Sequence, residues 1–432
     1  MSKILFRNAR IITADASMRV IPNGYLLVRD DRIASLGEGE PPETGNVDQV
    51  IDCQGNLLMP GFIDTHTHLP MSMMRGYADD LPLHEWIEKK TGPMLEKDTY
   101  DTMYLSTTLG LMEMLRNGIT CVNEMYPSIR AALDASSAVG IRGLFSMGIS
   151  GPLADCRERL RENLSVMEEY AENPLLHVGF AAHAEYSCET EFLRLVSDTA
   201  AERGSFIHIH CSETQKEHEE CKQRHGGLTP IRFFDSLGFF RSRVLLAHCV
   251  WVDEEDLDVL AARNGHVLHN PSSNLKLASG IAPLGRMLDK GISVGLATDS
   301  CVSNNRLDLW EEMRLAALLG KVRADNASAV PAQTAFRLAT AGGAAALGLT
   351  DVGCLAPGMK ADLIQVNTVG NPHYCPESDL FSRIVYSGCA SDVTMTMVNG
   401  RILYRGGEYT TIDSERTLAL CTRLASALYG DV

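Results

Sequence analysis

Side chains of the kind that bind transition metals stand at the ends of short apolar runs. His66 and His68 close one run, and their spacing of two puts both imidazoles on one face of an extended chain. His210, His248 and Asp299 end three later runs. Three of these four imidazoles together with the carboxylate would suit Zn²⁺ or Fe²⁺ and leave a coordination position for water. A metal centre is predicted if the fold brings these runs together.

Two neighbours of His210 need an interpretation of their own. His208 also forms a His-x-His pair with it, but His210 lies nearer the end of its run, so we expect His210 to face the site and His208 to pack deeper. Glu213 follows three residues later and is placed to carry protons to and from a water molecule. The alternative is that Glu213 only stabilises the start of the helix from Thr214 onward.

The middle of the chain alternates short apolar runs with helical patterns. The eight runs are residues 57–64, 119–123, 141–149, 175–182, 206–211, 244–249, 266–270 and 292–299. Eight strand–helix units over about 250 residues match a (β/α)8 TIM barrel, in which the C-terminal strand ends converge on one mouth. An α/β barrel would therefore gather the metal-type side chains.

Both ends of the chain read as β structure. Residues 393–398 and 401–404 flank Asn399-Gly400, a pair that accepts the positive φ angles of a type I′ turn. Similar short strands are predicted within the first 50 residues. We expect residues 1–56 and 355–432 to form one small flanking β-sandwich domain, with the barrel spanning 57–354.

Charge and composition limit the partners. The 432 residues carry a net charge of −16, which disfavours nucleic acid and anionic membranes. We expect no secretory signal, because no long apolar stretch occurs among residues 1–14. No apolar run reaches the length of a membrane span, and the twelve cysteines include no Cys-x-x-Cys pair. We expect a cytoplasmic homo-oligomer with reduced thiols that acts on a small molecule.

Four segments carry a resemblance to a known family. They are PGFIDTHTH at 60–68, MRGYADDLPL at 74–83 with Glu85-Trp86, HNPSSNLKL at 269–277 with GIAP at 280–283, and TDS at 298–300 with SNN at 303–305. The first is similar to the opening signature of the amidohydrolase superfamily. The others resemble its branch of methylthioadenosine/S-adenosylhomocysteine deaminases and related triazine hydrolases.

The resemblance implies one metal ion bound by four residues: His66, His68, His210 and Asp299. We expect Zn²⁺, with Fe²⁺ as the alternative. It also implies that Glu213, His248 and Asp299 are catalytic. The expected reaction is hydrolytic deamination of an adenosine-like nucleoside to the inosine analogue and ammonia. Methylthioadenosine, 5′-deoxyadenosine, adenosine and S-adenosylhomocysteine are the candidate substrates.

The same resemblance suggests substrate contacts. Trp86 corresponds to an aromatic residue of the nucleoside pocket, Glu96 to a ribose-binding glutamate, and His183 to a histidine within a Pro-His-x-Pro-Tyr segment. Both prolines are missing here, because the segment reads AHAEY. Met147 stands where an arginine would bind the distal carboxylate of S-adenosylhomocysteine, so an apolar 5′ substituent is favoured.

Binuclear members of the superfamily bridge two metals with a carboxylated lysine. No lysine lies between Lys97 and Lys216, which favours a single metal, although a bridging glutamate such as Glu124 stays open. The alternative functions are a deaminase or hydrolase of another nitrogen heterocycle, such as a pterin, guanine or triazine, and a barrel that only binds a ligand.

Overall fold

The computed structural model describes residues 2–41, 46–81 and 83–429, without the side chain of His84. Its strands are β1 (Lys3–Ile12), β2 (Val20–Arg29), β3 (Arg32–Glu38), β4 (Gln49–Asp52), β5 (Leu57–Pro60), β6 (Phe62–Thr67), β7 (Ile119–Tyr126), β8 (Arg142–Ile149), β9 (Leu176–Ala184), β10 (Phe206–Cys211), β11 (Arg243–His248), β12 (Gly265–His269), β13 (Ser293–Leu296), β14 (Leu363–Val366), β15 (Val393–Val398), β16 (Arg401–Arg405) and β17 (Glu408–Tyr409).

Strands β6 to β13 form the predicted barrel. They are parallel and lie in chain order, and a bridge between Thr67 and Asp299 brings the last strand back to the first. One apolar cluster contains side chains from five of these strands and so fills the interior: Ile63, Cys121, Leu144, Leu245 and Leu268. The strands are buried on both faces, which is why their sequences read as continuous apolar runs.

The first predicted run is divided between two sheets. Leu57–Pro60 pairs with β1 and β14, whereas Phe62–Thr67 begins the barrel. The chain crosses at Gly61, where an added Cβ would lie 2.1 Å from the Thr120 side chain. Glycine therefore permits a close passage that hydrophobicity alone did not reveal, and residues 57–64 are not one strand.

Strands from both chain ends form the second sheet, as expected. Its order is β17-β16-β15-β14-β5-β1-β2-β3, with β4 paired to β1. Side chains from β2 and β15 share one core, including Val28 and Met397. The predicted hairpin turn has φ angles of 50° at Asn399 and 76° at Gly400, as a type I′ turn requires.

Helices follow most of the barrel strands along the chain. They are α1 (Leu83–Trp86), α2 (Gly92–Leu95), α3 (Tyr100–Arg116), α4 (Arg130–Val139), α5 (Leu153–Glu169), α6 (Thr190–Arg203), α7 (Gln215–Arg224), α8 (Pro230–Ser236), α9 (Glu254–Ala262), α10 (Pro271–Lys276), α11 (Leu284–Asp289), α12 (Leu309–Ala324), α13 (Ala332–Leu338), α14 (Ala341–Leu347), α15 (Leu380–Tyr386) and α16 (Ser414–Tyr429). Within the described residues, none of the helices combines the length and apolar character needed to cross a bilayer.

Candidate functional site

The barrel mouth collects the predicted metal-type side chains. His66 and His68 lie on or just after β6, His210 on β10, His248 at the end of β11, and Asp299 three residues beyond β13. His248 and Asp299 have φ angles of 75° and 63°, a region that residues other than glycine rarely adopt. Such strained backbone often occurs at functional sites, because the surrounding structure must hold it in place.

The donor atoms at the mouth converge. Oδ1 of Asp299 lies 3.5 Å from Nε2 of His66 and 3.3 Å from Nε2 of His68. Nε2 of His210 is 3.4 Å from Nε2 of His68. Nε2 of His66 is buried and has no hydrogen-bond partner. A buried nitrogen without a partner is costly unless something else binds it, so this donor set fits a divalent cation.

Hydrogen bonds behind the rings fix their orientation. Nδ1–H of His210 donates to the carbonyl of His183 over 2.7 Å, and Nδ1 of His68 contacts the Met125 carbonyl. Donation through Nδ1 leaves the Nε2 lone pair free to bind a metal. Nδ1 of His66 lies 2.8 Å from Nε2 of His208, so His208 packs deeper in the barrel, as predicted.

Electrostatics keep the imidazoles neutral and the carboxylate charged. Burial lowers the pKa of His66 to about 4 and also lowers the pKa values of His68 and His210. Burial alone would raise the pKa of Asp299, but the close contacts of this carboxylate with His66 and His68 outweigh burial and hold the pKa well below its usual range. Ser303 stabilises the carboxylate by donating to Oδ2 over 3.0 Å.

Glu213 and His248 form a second pair beside these donors. Oε2 of Glu213 is 3.8 Å from Nε2 of His248, and its Oε1 accepts a hydrogen bond from Ser279 over 3.2 Å. Burial raises the pKa of Glu213 above its ordinary value. Burial opposes protonation of His248, but the charges of Glu213 and Asp299 raise its pKa overall. Both groups are thus placed for proton transfer at the mouth.

The capping alternative for Glu213 is wrong. Thr214 is the N-cap of α7, and its side chain accepts from the backbone N–H of Glu217. The Glu217 carboxylate in turn accepts the N–H groups of Ser212 and Glu213 over 2.8 and 2.7 Å. Sequence analysis missed this support, although Thr-x-x-Glu at a helix start is a recognisable capping signal.

A cavity of about 270 Å³ opens onto the site. Its wall includes the predicted contacts Trp86 and His183 together with several apolar side chains. Glu96 does not lie there: it is exposed at the end of α2, outside the cavity lining. The ribose-binding role of Glu96 therefore stays a prediction.

Met147 also lies outside the lining, so the argument from that residue is wrong. Successive side chains of a strand point to opposite faces. Leu144 belongs to the barrel interior and Ser146 contacts the buried ring of His208, which directs Met147 outward. Gly148 and Ser150 line the cavity instead.

Glu124 lies beside the site but outside its convergent donor atoms. Its Oε2 accepts hydrogen bonds from Oγ1 of Thr67 at 2.7 Å and from the N–H of Leu69 at 2.8 Å. The groupings of metal-type atoms at the mouth are His66, His68 and Asp299, and His66, His210 and His248. Among the described residues, a bridging carboxylate is thus not part of either grouping.

Comparisons with known proteins agree with this arrangement. Residues 57–403 match the Amidohydrolase family. The chain is 40% identical over 99% of both sequences to a 5-methylthioadenosine/S-adenosylhomocysteine deaminase of Pelotomaculum thermopropionicum. It is 39% identical to a 5′-deoxyadenosine deaminase of Methanothermobacter thermautotrophicus, over 95% of this chain and 96% of that one.

A solved structure extends the comparison to three dimensions. It is an adenosine deaminase from Xanthomonas campestris with bound zinc, which matches with a TM-score of 0.95 and 29% identity over 99% of this chain and 98% of that one. The barrel, the converging histidines and the similarity along the whole sequence lead to one assignment: the chain belongs to the amidohydrolase family.

Proposed function

We propose that the protein is a mononuclear metal-dependent deaminase of an adenosine-like nucleoside, which it hydrolyses to the inosine analogue and ammonia. The observation that carries the proposal is the pairing of Glu213 with His248, 3.8 Å apart, beside the converging Nε2 atoms and Asp299. The deaminase relatives support the same reaction class.

Four residues, His66, His68, His210 and Asp299, would hold one metal ion. Zinc is the ion we propose, because neutral imidazoles and one carboxylate suit it and because the similar adenosine deaminase structure contains it. When bound, the ion supplies Lewis acidity, which lowers the pKa of a water molecule toward neutrality. The chain's own residues must then orient that water and move the protons.

Proton transfer follows from the environments of three side chains. Oδ1 of Asp299 lies 3.5 Å from Nε2 of His66 and 3.3 Å from Nε2 of His68, so this carboxylate stands beside the attacking water and accepts its proton. Nδ1 of His248 is already paired with Oδ1 of Asn274 at 2.9 Å. Nε2 of His248 is therefore the atom that orients the water by a hydrogen bond. Glu213, whose pKa is raised by burial, favours the protonated form that delivers a proton to the purine ring nitrogen N1.

The proton and atom balance closes with one water consumed. Its oxygen bonds to C6 of the purine and the C6–N bond breaks. Glu213 gives its proton to N1, and Asp299 passes the first water proton to the leaving amine, which departs as ammonia. Glu213 then recovers a proton from the hydroxyl on C6 as the carbonyl forms, so both groups return to their starting states.

The cavity wall supports a preference among nucleosides. Apolar side chains of Met71, Leu83, Ile87 and Leu95 line it together with Trp86. Such a wall stabilises an apolar 5′ substituent by burying it. We therefore propose that methylthioadenosine, 5′-deoxyadenosine or adenosine is preferred over S-adenosylhomocysteine.

An ammonia-release assay over a substrate panel tests the proposal. The panel contains the four nucleosides together with guanine, a pterin and an aminotriazine, and kcat/KM is measured for each with the zinc-loaded enzyme. We expect one of the three preferred nucleosides to have the highest kcat/KM. A higher value for any non-nucleoside ring would refute the nucleoside assignment, and a higher value for S-adenosylhomocysteine would refute the preference within it.

A further inference from the structure

A buried carboxylate stands outside the proposed chemistry. Glu185 directly precedes Tyr186, and its side chain is only 2% exposed. Its oxygens accept from Nε and Nη2 of Arg224 at 3.1 and 2.6 Å, and from Nε2 of His225 at 2.6 Å. We call these three residues the Glu185 clasp. A buried carboxylate is tolerated when it is paired in this way.

The partners of Glu185 are themselves held in place. His225 stacks on the ring of Phe233 with 3.6 Å between centroids and 14° between planes. Arg224 and His225 stand at the end of α7, so the clasp ties the turn after β9 to the C-terminal end of that helix. A bidentate arginine pair also fixes the direction of the carboxylate.

The turn held by the clasp forms part of the site. It spans residues 185–187, and His183, Tyr186 and Ser187 all line the cavity. Oγ of Ser187 lies 2.9 Å from Nδ1 of His183, and the carbonyl of His183 accepts from His210. A shift of this turn would therefore move the cavity wall.

The other end of α7 holds the proposed proton carrier. Glu217, in the first turn, accepts the backbone N–H groups of Ser212 and Glu213. Seven helical residues, about 10 Å, separate Glu217 from Arg224, where the two attachments are made. Helix α7 thus connects Glu213, the proposed proton carrier, to the turn of residues 185–187, which lines the cavity.

We infer that Glu185 is a positioning residue for substrate binding. It acts through the backbone of residues 183–187, setting the places of His183 and Tyr186, and takes no part in proton transfer. The effect on catalysis rests on the proposed function, whereas the effect on the turn does not. Loss of the clasp should therefore weaken substrate binding more than the chemical step.

Glu185→Gln tests this directly, because it keeps the size of the side chain and removes its charge. For methylthioadenosine we expect KM to rise about tenfold while kcat changes less than about threefold. Amide hydrogen exchange in residues 183–188 should become faster. Arg224→Gln, which removes the partner, should reproduce both effects.

Two further variants separate positioning from general damage. Lys222→Gln, in the same last turn of α7, removes only an exposed pair with Glu219 and should change neither readout. Glu185→Pro removes the charge but fixes the backbone φ angle at the first position of the turn. Proline suits the first position of a helical turn, and the φ of −159° and ψ of 169° at Ala184 suit the residue before a proline. We expect its KM to return to within about threefold of wild type.

Several outcomes would overturn the inference. They are unchanged KM and exchange in Glu185→Gln, a loss confined to kcat, or a KM in Glu185→Pro as high as in Glu185→Gln. If the wild-type enzyme turns over no nucleoside, the proposed function fails. The exchange measurement then still decides whether the clasp holds the turn.

Discussion

Replacing Glu213 with glutamine should remove most of the turnover and leave the fold and the metal site intact. The carboxylate is 5% exposed, lies 3.8 Å from His248, and accepts from Ser279. Glutamine keeps the shape and can still accept that hydrogen bond, but it carries no proton to deliver. Positioned proton transfer contributes about 10²- to 10⁴-fold, which is about 3 to 5.5 kcal/mol of barrier. We therefore expect kcat to fall by that factor.

The assay is ammonia release from methylthioadenosine at saturating substrate, with metal content and thermal unfolding measured on the same preparations. Glu219→Gln is the matched control, since among the described residues that glutamate forms a surface ion pair with Lys222 on α7. The control should keep wild-type kcat. A Glu213→Gln enzyme that retains more than about a tenth of the wild-type kcat would assign the proton to another group. Loss of the metal in this variant would contradict our proposal that Glu213 is not a metal ligand.

Two further predictions concern stability. Burial raises the pKa of Glu312 from 4.5 to about 8, so between these values the folded protein keeps a proton that the unfolded chain has released. The free energy of unfolding, measured by urea denaturation, should therefore fall by up to about 1.4 kcal/mol per pH unit from pH 5 to 8. The Glu312→Gln variant should lack this part of the pH dependence. Equal pH dependence of the unfolding free energy in the variant and the wild type would contradict the prediction. Arg142→Met removes one partner of a buried ion pair and leaves the charge of the Asp362 carboxylate uncompensated. The free energy of unfolding, measured by the same denaturation, should fall by about 3 to 5 kcal/mol. Arg130→Met, at an exposed ion pair, should lower it by less than about 1 kcal/mol. Equal losses in the two arginine variants would refute the role given to burial.

Sequence alone predicted the barrel because its strands are buried on both faces. Such strands read as apolar runs, and their C-terminal ends carry the polar groups. Histidines at 66, 68 and 210 could thus be placed at one mouth without coordinates. The chain's path at Gly61 could not, because it depends on contact with Thr120.

Contacts between distant segments limited the prediction of the site. Asn274 lies in α10 and Ser279 in the loop that follows it, yet they contact His248 and Glu213. Met147 failed for a local reason, since a shift of one residue along a strand turns a side chain to the opposite face. Glu96 is exposed at the end of a short helical segment, and its role as a ribose ligand stays a prediction.

Metal titration of the stripped enzyme tests the central claim most directly. The protein is treated with a chelator, zinc is added back in known amounts, and ammonia release from methylthioadenosine is followed together with bound metal by elemental analysis. Activity should be negligible without metal, rise in proportion to bound zinc, and reach its maximum at one equivalent per chain. Full activity in the metal-free enzyme, or a maximum at two equivalents, would contradict a mononuclear metal-dependent deaminase.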